Sequence, residues 1–211
     1  MADTDQGLRF AEAMAARLCH DLSGPIGTLV NALELIDEPG EAGAEARGLA
    51  ADAALQLRAR LRLLRAAWAP EPEALSVPGL VELGAGLPGA HRLRLDLSGF
   101  AGGTVFPGPT GRMLLNMLLL AAGALPAGGE IALRPAAAGE VLLTVSGPRV
   151  AWPAGLAALL LAPAPAAPEP SRLFPAAMLA RLARDAGMAV RPLLPAGGPG
   201  HEGLALLLTQ A

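Results

Sequence analysis

Apolar residues in the first third of the chain recur at helical spacing. Leu18, Leu22, Ile26, Leu29, Leu33 and Ile36 are separated by 4, 4, 3, 4 and 3 positions. That draws one stripe along a helix from about Gln6 to Asp37. Pro39-Gly40 ends it, and a second helix follows from about Ala44 to Trp68. Leu57, Leu61, Leu64 and Trp68 mark the stripe of that helix, while Arg58, Arg60, Arg62 and Arg65 read as its solvated face. Ala69-Pro70-Glu71-Pro72 then reads as a linker, so residues 6–69 form a helical hairpin and a second domain occupies 74–211. Two helices bury little surface by themselves. Pairing with a second copy into a four-helix bundle is the simplest way to cover them, which predicts a homodimer.

From Leu75 onward the pattern changes. Val77 to Leu87 reads as a short helix, and Arg92 to Leu97 alternates with the period of a strand. Thr110 to Leu125 is a helix with Thr110 as candidate N-cap. Glu130–Arg134 and Glu140–Val145 pair as a hairpin; Ser171 to Ala186 is helical; Met188–Leu193 and Glu202–Thr209 are the closing strands. Helices on one face of a mainly antiparallel sheet make this half an α/β sandwich and the whole chain α+β.

The stretch Cys19-His20-Asp21-Leu22-Ser23-Gly24-Pro25 carries the candidate chemistry. At about 100° per residue, His20 points roughly 160° away from the centre of the first apolar stripe and is therefore exposed. Gly24, Gly27 and Asn31 follow it on the same outer face. A glycine inside a helix costs about 1 kcal/mol relative to alanine, so a smooth strip under an exposed histidine is a reason to carry two. Pro25 lacks an N–H and is expected to kink the helix just past His20. A surface His-Asp pair is usually only solvated; the proline, the glycine strip and the hairpin move this one to a chemical reading. An imidazole is neutral and nucleophilic near pH 7, which suits it to nucleophilic or acid–base work. Asp21 would orient the ring or act as its general base.

Composition narrows the rest. The 211 residues carry a net charge of -3, which leaves no basic footprint for nucleic acid. One cysteine, Cys19, excludes an intrachain disulfide and reads as a small packing residue. The N-terminus has no signal-peptide order, and the runs Met113–Leu125 and Leu156–Ala167 fall short of the ~20 apolar residues of a membrane helix. A cytoplasmic protein without membrane contact is the expectation. Asn116 reads as a buried or capping amide, and His91 and His201 as surface residues beside turns. Gly84, Gly86 and Gly89, and again Gly198, Gly200 and Gly203, match G-x-G-x-x-G in a chain with 26 glycines. Both runs lead toward strands rather than a helix, which argues against a dinucleotide site.

His20-Asp21-Leu22 followed by Pro25 resembles the phosphoacceptor box of histidine kinases, on the first helix of a dimerising hairpin. The domain behind it has the element order of their ATP-binding domain, in degenerate form. Leu114 to Ala121 resembles the asparagine box with Asn116 at its first position, but Leu120 stands where a second, magnesium-holding asparagine is expected. The strand Val141–Val145 leads into Ser146-Gly147-Pro148-Arg149 instead of the aspartate-glycine motif that reads adenine, and no glycine-rich lid precedes the helix near Ser171. The run Arg17 to Gly27, Asn31-Ala32-Leu33-Glu34-Leu35 and the Gly147-Pro148-Arg149 turn are together similar to the ChpT-like histidine phosphotransferases of alphaproteobacterial cell-cycle phosphorelays.

That resemblance implies a homodimer that takes phosphoryl groups from the receiver domain of a hybrid histidine kinase and passes them to response regulators. His20 would be the phosphoacceptor, with Asp21 beside it and Arg17, Ser23, Gly24, Gly27 and Asn31 meeting the partner. No ATP would be bound by this chain, and Mg2+ would come with the partner receiver domain. Two other readings are an active ATP-dependent histidine kinase and a non-catalytic dimeric scaffold for response regulators.

Overall fold

The computed structural model describes residues 2–70, 73–137, 139–162, 171–193 and 204–211. Helix α1 (Ala2–Glu34) continues through Pro25, and α2 (Glu41–Trp68) returns alongside it. The first helix therefore stops short of the expected Asp37. Leu35 to Gly40 form the turn, closed by the Glu38 amide donating to the Leu35 carbonyl at 3.2 Å. Gly43 is required where α2 leaves that turn, because a Cβ there would stand 2.2 Å from the Glu38 carbonyl oxygen.

The seam between the helices is built mostly from small residues. Ala46, Ala50, Ala53, Leu64 and Ala67 of α2 are buried. Leu61, expected in the buried stripe, is exposed. The α1 stripe is also wider than one partner helix can cover. Leu18, Leu22 and Leu29 are half-buried, whereas Ile26 and Leu33 are exposed. Arg58, Arg62 and Arg65 are solvated as expected, but Arg60 is turned partly inward.

The second half begins with β1 (Leu75–Ser76) and α3 (Val77–Gly84), where Ser76 caps the helix by accepting from the Gly79 amide at 3.2 Å. Next come β2 (Leu93–Asp96), β3 (Val105–Phe106) and α4 (Gly108–Ala124). The last helix starts before Thr110, with a proline in its first turn and Pro107 at the N-cap; a proline there loses no helical bond. The hairpin of β4 (Gly129–Pro135) and β5 (Val141–Ser146) forms where it is expected. After α5 (Leu156–Leu161), a 3-10 turn at Ser171–Leu173 leads into α6 (Phe174–Asp185), then β6 (Met188–Leu193) and β7 (Ala205–Gln210). His201, Glu202 and the glycines 198, 200 and 203 lie outside the described residues.

Five strands make one sheet in the order β2-β4-β5-β7-β6, with only β2 and β4 parallel. Ile131, Leu133, Val141, Leu143, Leu206 and Leu208 point from one face into the core. Helix α4 lies at its centre, and every residue from Met113 to Ala122 is buried. The opposite face of the sheet is polar at β2 and β4. There Arg94 pairs with Glu130, and Arg134 bonds Asp96. The Arg134 contact, with the Ser98 amide, holds the Asp96 carboxyl below the usual carboxylate range.

The hairpin and the sheet domain share one core at their junction. The chain has four Phe and two Trp, and three of these meet there. Phe174 packs against Phe10 of α1 at 5.1 Å and edge-on against Trp68 of α2 at 5.0 Å. The Arg181 guanidinium lies 5.5 Å over the Phe10 ring.

Candidate functional site

His20 stands on the outer face of α1, as the helical spacing predicts, with its side chain 75 % exposed. Its neighbour Asp21 is one step further round, on the side of α1 that faces α2, and its side chain is only 4 % exposed. The two meet at 3.1 Å between His20 Nδ1 and Asp21 Oδ1. The other carboxylate oxygen, Oδ2, accepts from Arg17 Nε at 2.8 Å, one helical turn earlier. The dyad is therefore a triad along one helix: an inner arginine holds a buried carboxylate, and the carboxylate holds an outer imidazole.

This arrangement bears on the ring's tautomer. An ionised carboxylate only accepts hydrogen bonds. Asp21 thus favours the tautomer with the proton on Nδ1, which leaves the Nε2 lone pair free.

Arg17 is turned inward rather than presented to solvent; its side chain is 11 % exposed and engaged with Asp21. Cys19, expected as a packing residue, is exposed beside His20. The Ser23 hydroxyl donates to the Cys19 carbonyl at 2.6 Å, and the Thr28 hydroxyl to the Gly24 carbonyl at 3.2 Å. Both stay on the helix surface, bonded to the carbonyl one turn back on either side of Pro25. Gly24 and Gly27 open onto empty space, with nothing within 4 Å of a Cβ built at either, and Asn31 is exposed beyond them.

The strip makes a prediction that separates stability from access. Gly27→Ala should stabilise α1 by up to about 1 kcal/mol, since the methyl meets nothing, whereas Gly24→Ala should not, because a Cβ before Pro25 in a helix crowds the proline ring. Gly24→Arg and Gly27→Arg should keep the fold and slow any partner's approach to His20. Thermal melts alongside transfer rates check this, and an unchanged rate in both arginine variants would move the partner's footprint off the strip.

Asn116 lies on α4, far from the triad in sequence and wholly buried. Its amide donates to the Arg112 carbonyl at 2.9 Å and the Ala67 carbonyl at 3.3 Å, and its oxygen accepts from the Trp68 indole at 3.0 Å. All three partners are protein groups, two of them in α2, so the residue ties the sheet domain to the hairpin. Leu120, one turn later, is buried in apolar surroundings. Among the described residues no three His, Cys, Asp or Glu side chains are arranged to hold a metal. No helix among them is long and apolar enough to cross a membrane.

Residues 82–194 match the model of the histidine phosphotransferase C-terminal domain. The chain is 32% identical over 135 residues to the protein phosphotransferase ChpT of Brucella abortus (strain 2308), covering 62% of this chain and 63% of that relative. It thus spans less than two thirds of that protein's length. Among solved structures it is similar to a bacterial phosphotransferase at a TM-score of 0.75 and 26% identity, over 95% of this chain and 96% of the other. These likenesses agree with the α+β architecture of hairpin and sheet domain.

Proposed function

The chain belongs to the histidine phosphotransferase C-terminal domain family, and from that premise we propose that it is a phosphorelay protein that carries a phosphoryl group on His20. The observation that carries this reading is the Arg17–Asp21–His20 triad: an exposed imidazole whose inner nitrogen is held by a buried, anchored carboxylate.

The donor is an aspartyl phosphate on the receiver domain of a hybrid histidine kinase. The Nε2 lone pair of His20 attacks phosphorus, a P–N bond forms, and the P–O bond to the donor carboxylate breaks with its electron pair leaving on that carboxylate. The imidazole becomes cationic as it attacks. Asp21 stabilises that charge through Nδ1–H and accepts the proton as the adduct neutralises. Delivery to a response regulator is the reverse step on a second aspartate. Phosphoryl transfer depends chiefly on positioning and charge neutralisation, so a rigidly held ring on an open surface is what this chain must provide. Ser23, Gly24, Gly27 and Asn31 form the face against which a receiver docks.

The chain acts as a homodimer in the cytoplasm. Ile26, Val30 and Leu33 of α1 and Leu49, Leu55 and Leu61 of α2 are each 44% exposed or more in a single chain, an apolar surface that a second hairpin would cover. The phosphoryl group comes from a receiver and not from ATP bound here. Asn116 is committed to Ala67, Arg112 and Trp68, and Leu120 offers no ligand, so Mg2+ belongs to the receiver's own site.

Incubation of the chain with a phosphorylated receiver domain should give an acid-labile, alkali-stable label of the phosphoramidate type. Light scattering should give twice the 21.3 kDa chain mass. A chain that takes no label from any receiver of its host, or that labels itself from ATP, would overturn the reading.

A further inference from the structure

Positions 46, 50, 53, 57, 60, 64 and 67 of α2 turn inward, buried or half-buried, and alternate steps of four and three. All but one are alanine or leucine; the exception is Arg60. A long cation in the seam between two helices is out of pattern with everything around it. Among the described residues only two buried side-chain polar atoms lack a hydrogen-bond partner, Arg60 Nε and Trp152 Nε1. Only the first belongs to a charged group.

Arg60 is close enough to the triad to be influenced by both of its inner charges. Burial disfavours its protonated form, Asp21 favours it, and Arg17 disfavours it. Asp21 already gives one carboxylate oxygen to Arg17 and the other to His20. Arg60 is therefore not needed to neutralise the aspartate. Arg17, Asp21 and Arg60 together carry one net positive charge. An unpaired buried donor costs stability, and such groups persist where another state of the protein uses them.

We propose that Arg60 is a positioning residue for phosphotransfer, a half-buried cation on α2 near Asp21 that offsets the negative charge His20 gains when it is phosphorylated. The inference rests on His20 as the phosphoacceptor. A phosphoryl group on Nε2 brings about two negative charges next to the Asp21 carboxylate, which would repel it. With Arg60 the inner charges are net positive; without it they cancel. Arg60 acts through space and through Asp21, and does not touch the phosphoryl group.

The test uses the full-length chain, a phosphorylated receiver domain, and the Arg60→Gln, Arg60→Lys and Arg60→Met variants. Arg60→Gln should lower both the transfer rate and the equilibrium fraction of phosphohistidine by about tenfold, the scale of one charge acting at partly screened range. KM for the receiver should stay unchanged, because Arg60 is not part of the docking face. Arg60→Lys should recover most of the equilibrium fraction. Arg60→Met should melt no lower than the wild type, since it removes a buried unpaired donor. Loss of transfer with retained or raised melting temperature supports the proposal. Transfer and equilibrium within twofold of wild type in Arg60→Gln would overturn it, as would parallel loss of stability and transfer in all three variants. If the wild-type chain itself takes no label, the phosphoacceptor reading falls first, and this inference with it.

Discussion

His20→Ala is expected to take no label from a phosphorylated receiver, while Asp21→Asn takes it about 100-fold more slowly. The two substitutions fail for different reasons. Alanine removes the imidazole of the triad, its nucleophile. Asparagine keeps the size of the side chain but halves its accepting capacity. In the native protein Oδ1 serves His20 Nδ1 at 3.1 Å and Oδ2 serves Arg17 Nε at 2.8 Å. One amide oxygen cannot do both, and the amide NH2 would face a donor. Either the imidazole loses its tautomer or Arg17 loses its anchor. The charge that stabilises the imidazolium during attack is lost in both cases. The measurement is a time course of acid-labile label on each variant, with helicity checked by circular dichroism. An Asp21→Asn protein within threefold of wild type would show that the aspartate is only a structural partner of Arg17.

The second large effect lies away from the reactive face. Asn116→Ala should destabilise the chain by about 3 kcal/mol, because the Trp68 indole N–H loses its acceptor inside the core and the Asn116 donors vanish. In a chain of this length that lowers the melting temperature by roughly 6–12 °C. Trp68→Phe removes the same N–H from the other side. The double variant should therefore cost clearly less than the two single ones together. Additive effects would mean that the bond at 3.0 Å contributes little. The junction matters for function because it sets where the sheet domain stands relative to His20. The aromatic cluster of Phe10, Trp68 and Phe174 packs at the same junction.

Much of this architecture was legible before any coordinates. The spacing of apolar residues marked both long helices, and the β4–β5 hairpin was legible as two runs either side of a short turn. The boundaries were less legible. The helix expected to begin at Thr110 begins at Gly108, because a proline in the first helical turn is as good a start as a capping hydroxyl. The first apolar stripe was legible as a stripe, but not as two surfaces. Leu18 and Leu29 turn toward the chain's own packing while Ile26 and Leu33 are left outside, and spacing alone does not divide them. Arg60 carried a readable signal, its place in the 46-50-53-57-60-64-67 series. In a helix with four arginines between 58 and 65, the search for a leucine stripe concealed it.

The outward direction of His20, the open strip of Gly24 and Gly27, and the α+β order of elements were determined by the sequence alone. These are local properties: an α-helix turns about 100° per residue whatever packs against it, and strands declare themselves by alternation. Only the tertiary structure decided that Asp21 is buried, that Arg17 serves it from within, that Arg60 Nε is buried without a partner, and that Asn116 joins the hairpin to the sheet domain. Each of those depends on which side of one helix meets another element many residues away. The separation of 49 positions from Ala67 to Asn116 is closed by packing and not by any local pattern. The same amide in another packing could hold a metal or a cap; here the hairpin's own backbone and indole occupy it.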